Sequence, residues 1–144
     1  MNKRLQQFIS KFDIQEHGNY IILYKTAYSN GHSILFGAGR AYKVGALVKT
    51  PRMCRSISEQ CGQGLHCSPF LAAKSWYGYS SGRSVFEVAI KKSSSTSIPE
   101  AALHTIKEHA DCKIRCKELQ VLRVVTETEL FNEEIDRSLQ KWRQ

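Results

Sequence analysis

Cysteine, histidine and serine crowd into one stretch, Cys61-Gly62-Gln63-Gly64-Leu65-His66-Cys67-Ser68-Pro69-Phe70. Such side chains can ligate zinc, pair as thiolate and imidazole, or help to cradle an anion. Zinc fits poorly. His66 and Cys67 are neighbours in an expected strand, so their side chains leave opposite faces and cannot share one metal. Cys61-x5-Cys67 is not a zinc-knuckle spacing and Cys112-x3-Cys116 is marginal, while His104 and His109 do not share a helix face. No metal is expected.

A nucleophilic thiolate needs a nearby base or a helix N-terminus to lower its pKa. Cys67 lies one residue before the expected helix cap, yet a buried structural thiol is the plainer expectation. The anion reading rests on the corner itself. A strand running into a capped helix aims free backbone N–H groups outward. His66 on the strand and Ser68 at its end would flank a bound phosphate, with Lys25, Arg40 and Arg115 as the cationic neighbours. Histidine suits the task because its charge is tunable near neutral pH. An ordinary solvated cap is the alternative. Gly37-Ala38-Gly39 lacks the third glycine of a dinucleotide loop and reads as a turn.

Composition bounds these readings. Lysine and arginine number 21 against 13 acids, for a net charge of +8, which favours polyanionic partners, nucleic acid or nucleotide. Hydrophobic residues make up 42% and charged residues 24%, ordinary for one globular domain spanning 1–144. No apolar run approaches the roughly 20 residues of a membrane span, and Met1 to Phe12 lacks a signal-peptide core. A cytoplasmic protein with no membrane partner is expected. Five cysteines, an odd number, then imply reduced thiols.

Several elements must position the corner. Leu5, Phe8, Ile9 and Phe12 give a short amphipathic helix over 3–12, followed by a loop over 13–19. The β-branched and aromatic runs 20–26, 85–90 and 119–125 predict three strands of one sheet. Shorter strands are expected at 34–36, 42–44, 46–49 and 65–67, with alternation continuing over 113–117. Ser68 as N-cap, Pro69 at the first helical position and Gly78 past the end predict a helix over 69–77. Its inward side would carry Ala72, Ala73 and Trp76.

Ser97-Ile98-Pro99-Glu100 fits a capping box opening a helix to about Ala110, with Leu103, Ile106 and Lys107 covered. Thr126-Glu127-Thr128-Glu129 fits another, opening a helix over 127–142 whose stripe is Phe131, Ile135, Leu139 and Trp142. The fold class predicted is α+β, a twisted, mostly antiparallel split sheet with short packed helices. A monomer or weak dimer is expected.

The order Leu23-Tyr24-Lys25, Tyr42-Lys43-Val44-Gly45, Cys61-x-x-Gly64-Leu65-His66, Val85-Phe86-Glu87-Val88, Ile98-Pro99 and Lys113-Ile114-Arg115 carries a resemblance. Over about residues 20–125 it resembles a family of small domains common in phages, prophages and large DNA viruses. That family is in turn similar to the ADP-ribosyltransferase superfold, including the RNA 2′-phosphotransferases. The resemblance implies a phage or mobile-element accessory protein, with NAD as a possible cofactor and transferase chemistry as one role. Inhibition of a host defence protein is another.

Carried over, Tyr24, Lys25, His66 and Ser68 would hold the cofactor, and His66 and Tyr77 would be catalytic, Tyr77 closing the cleft wall. The first strand lacks the arginine or histidine that grips the cofactor in that superfold. Glu87, mid-strand, and Glu127, in a helix cap, do not match its catalytic acid.

Overall fold

Long β-branched runs form the centre of the computed structural model, which describes residues 3–30, 42–58, 63–78 and 82–130. In chain order the elements are α1 (Lys3–Lys11), β1 (Glu16–His17), β2 (Tyr20–Tyr28), β3 (Leu47–Lys49), β4 (Leu65–Cys67), α2 (Phe70–Tyr77), β5 (Arg83–Lys91), β6 (Thr96–Ser97), α3 (Glu100–Leu103), β7 (Ile114–Cys116) and β8 (Glu118–Val124). They make two sheets. A five-stranded sheet has the order β1-β2-β5-β8-β3, and a three-stranded sheet the order β4-β7-β6. All six pairings are antiparallel. The protein is thus α+β, and the three predicted strands are neighbours in one sheet.

The five-stranded sheet buries both faces unequally. Ile21, Leu23 and Ala27 of β2 face the larger core with Val88 and Ile90 of β5 and Leu119 and Val121 of β8. The apolar stripe of α1 closes that side with Leu5, Phe8 and Ile9. Each fully buried leucine or isoleucine there contributes about 1.5–3 kcal/mol. On the opposite face, Ala73 and Tyr77 of α2 pack with Val85, Val125 and Leu130. The Thr26 hydroxyl donates to the Ala73 carbonyl and ties α2 to β2.

Five local expectations need correction. Tyr42 to Val44 is not a strand; Tyr42 is buried with its ring 6.1 Å from that of Phe86. The loop over 13–19 contains β1, turned back on β2 at Gly18. The helix after Pro99 is only α3, with Ile106 and Lys107 exposed. Ser97 cannot cap it, because its backbone pairs in β6 and its hydroxyl accepts from Arg115. Pro99 stands at the N-cap, and the Glu100 N–H donates to the Ile57 carbonyl instead. Ser68 likewise does not cap α2, as shown below.

The second capping box does form: the Glu129 N–H donates to Thr126 Oγ1 and the Thr126 N–H to Glu129 Oε1. Residues 127–130 are helical. Arg40, Cys61, the strand expected at 34–36 and the stripe Phe131, Ile135, Leu139 and Trp142 lie outside the described residues. Among the described residues, no helix is long and apolar enough to cross a membrane.

Candidate functional site

The described part of the corner, residues 63–68, meets the large sheet at the outer edge of β2. Along β4, Leu65 and Cys67 turn into the core while His66 takes the other face. Gly64 enters β4 at φ +131°, and a Cβ there would stand 3.2 Å from Met53 Cγ and 3.4 Å from Arg115 Cβ. Glycine is needed for that close approach.

Ser68 pairs with Tyr24 as an isolated antiparallel bridge and is 5% exposed. With its backbone committed there, Ser68 leaves the N-cap position to Pro69 (φ −57°, ψ 159°), and no side chain caps α2. The helix ends as expected at Gly78, which is left-handed at φ 58° and donates its N–H to the Lys74 carbonyl.

His66 stands directly opposite Arg115 on β7, and Arg115 stands opposite Ser97 on β6. Residues opposed across strands share a face, so the three form a polar row across the small sheet. Arg115 is fully buried; its Nη2 donates to Ser97 Oγ at 2.9 Å and to the Ser56 carbonyl at 2.6 Å. It is an internal cation, not a surface one. Lys113, two residues earlier, is also buried, its Nζ 5.3 Å from the Trp76 ring centroid. Trp76 Nε1 in turn donates to the Ala110 carbonyl. Residues 53–57 are pinned over this face by Gln63, Arg115 and Glu100.

Tyr24 and Lys25 are split by the sheet. Lys25 turns to the core side, buried, with its Nζ 5.6 Å from the Tyr42 ring centroid. It favours the Cys67 thiolate, but burial and then the Cys116 thiol beside it hold the Cys67 pKa well above the usual range. Cys67 is a packed thiol, without nucleophilic activation.

Tyr24 faces the other way, edge-on to Phe70 at 5.2 Å, and its hydroxyl donates to Glu87 Oε2 at 3.2 Å. The same oxygen accepts from Arg123 Nη2 at 3.0 Å, and Arg123 grips both oxygens of Glu129 at 2.7 and 2.9 Å. Tyr24, Glu87 and Arg123 are in register on β2, β5 and β8.

The structure therefore brings His66, Arg115 and the Tyr24–Ser68 pair to one junction and leaves Lys25 on another face. Tyr77 is buried, packed among Ala73, Val85, Val125 and Leu130. The row Tyr24–Glu87–Arg123 was not singled out from sequence. Its signal was present, as one charged residue inside each apolar run, Val85-Phe86-Glu87-Val88 and Val121-Leu122-Arg123-Val124. Among the described residues, no three His, Cys, Asp or Glu side chains gather to hold a metal ion. Comparison of the chain with family models, curated proteins and solved structures gives no match.

Proposed function

We propose that this protein binds a phosphate-bearing ligand, a nucleotide or nucleic acid, at the junction of β4 and α2. The observation that carries the reading is the His66–Arg115 pairing beside a helix start whose N-cap, Pro69, makes no side-chain cap. Buried Arg115 and Lys113 set a positive potential behind His66, and the uncapped first turn of α2 adds its partial positive charge. The net charge of +8 brings polyanions to such a surface.

The test titrates the protein with nucleotides and short oligonucleotides at low and moderate salt. Binding should weaken as salt rises. His66→Ala should lower affinity at least about tenfold, about 1.4 kcal/mol, with the thermal midpoint unchanged. A large drop in midpoint with no affinity change in the folded fraction would make His66 structural and refute the reading.

Glu87 favours a second reading. It is a half-buried carboxylate held between a phenol and a guanidinium, next to the junction. In a transferase it would hold a ribose hydroxyl of NAD. Release of nicotinamide from NAD, abolished in Glu87→Gln, is the result that reading requires.

A further inference from the structure

The face of the five-stranded sheet that bears Tyr24 is covered at one end by α2 and Leu130. Among the described residues no helix covers its other end, which carries two rows in register. One row runs Ile22–Ala89–Gln120–Leu47 across four strands. The next runs His17–Tyr20–Lys91, with Glu118 and Lys49 paired on the far strands. A solvated face of an antiparallel sheet ordinarily presents polar side chains. Here Tyr20, Leu122 and Leu47 are 38%, 39% and 50% exposed. They help to line a concavity of about 540 Å³, inside the size range of small-molecule sites.

We propose that this concavity binds a nucleobase and its attached phosphate. The base lies on Ile22, Ala89 and Leu122 against the Tyr20 ring, because every base has a flat face that stacks on apolar and aromatic side chains. The phosphate sits over the neighbouring row, two residues along the strands or about 6.8 Å away, where exposed Lys91 supplies the charge and His17 a ring N–H donor.

Gln120 gives the floor a fixed polar reader. Its Nε2 donates to the Gly45 carbonyl at 2.8 Å and the Ala46 carbonyl at 3.3 Å, so Oε1 is left to accept from an N–H on the base edge. Gln15 Nε2 lies 2.8 Å from His17 Nε2; donation by the amide leaves the His17 proton on Nδ1. Along the neighbouring row His17 stands on the β1 side and Glu118 on the β8 side with Lys91 between them, so the phosphate is placed toward His17 and Lys91. The site is on a different sheet from the His66 junction, so either can fail alone.

The base and phosphate could come from a free nucleotide or from single-stranded nucleic acid. Amide shift mapping with AMP and with a ten-residue single-stranded DNA separates the sources and the sites. Expected are shifts at Ile22, Ala89 and Gln120, and at least a tenfold loss of affinity in both Tyr20→Ala and Leu122→Glu. Binding of the DNA alone with the same sensitivities supports the site and assigns it to a strand; binding of AMP as well assigns it to nucleotides in general. Shifts confined to Gly64–Phe70 and Arg115, or affinities unchanged by both substitutions, overturn it. So does an absence of binding by either probe, including the case in which Leu122→Glu turns a dimer into a monomer and so marks the face as self-association surface.

Discussion

Tyr24 and Ser68 exchange both of their backbone hydrogen bonds, each 2.8 Å long, and so join the small sheet to the large one. The bridge uses the edge of β2 beyond the point where β1 stops pairing. It also fixes what each side chain can do. Tyr24 is left facing Glu87 and Phe70, while the strand before Ser68 presents His66 to Arg115.

Tyr24 predicts an alkaline weakness. Burial first, then the charge of Glu87, pushes its pKa from 10.0 up to about 12. The folded chain therefore holds this proton more tightly than the unfolded chain. The associated stability is fully present below pH 10.0 and is lost as pH rises toward 12. Urea midpoints across that window should fall more steeply for the wild type than for Tyr24→Phe; equal slopes would contradict the assignment.

Arg115 should be a large single contributor to stability. Arg115→Ala leaves the Ser97 hydroxyl and the Ser56 carbonyl without their donor and opens a buried space, at a cost of about 3 kcal/mol. Arg115→Lys should recover little, because an ammonium lacks the planar fork of donors. Equilibrium urea unfolding measures both. A loss under about 1 kcal/mol in the alanine variant would show that the guanidinium carries little of the packing.

The capping box predicts an acid limb. Hydrogen bonds from Arg123 first, and then from the Thr126 N–H, lower the Glu129 pKa from 4.5 to about 2. Its contribution is present above pH 4.5 and is lost as pH falls toward 2. The side chain is 42% exposed, so added salt should shrink the effect. Thr126→Ala should cost about 1 kcal/mol at neutral pH. An acid titration in which Glu129→Gln and the wild type lose stability in parallel would count against the box.

Thiol reactivity should rank by burial. Burial raises Cys112 to about 12 and Cys67 well above its usual range, whereas Cys54 is half-buried. Brief alkylation of the native protein near neutral pH, read by peptide mass spectrometry, should mark Cys54 ahead of Cys67 and Cys112. Early labelling of Cys67 would restore it as a nucleophile.

The central strands could be read from sequence because burial on both faces demands unbroken apolar runs, as at Tyr20–Thr26 and Val85–Ile90. Thr126–Glu129 was legible too, since both halves of a capping box are local. Ser68 and Ser97 carried equally good cap signals, and both failed for a non-local reason. Tyr24 takes the backbone of one, and Arg115 takes the hydroxyl of the other. Arg115 looked like a surface cation because nothing in its own strand tells that residues 53–57 lie over it. The open groove was invisible for the same cause: Ile22, Leu47 and Leu122 meet only through register.

The strand order also sets when the chain can fold. Leu23 finds its β5 partner only at Val88, and Leu47 its β8 partner only at Gln120. Closing such long loops must come before the contacts that reward it, which slows folding into the range of milliseconds to seconds. On the ribosome, β3 has no strand to lie against until β8 has emerged. During that interval β2 and β5 can already meet, but Leu47 and Val48 of β3 have no strand beside them, and a chaperone would find them bare.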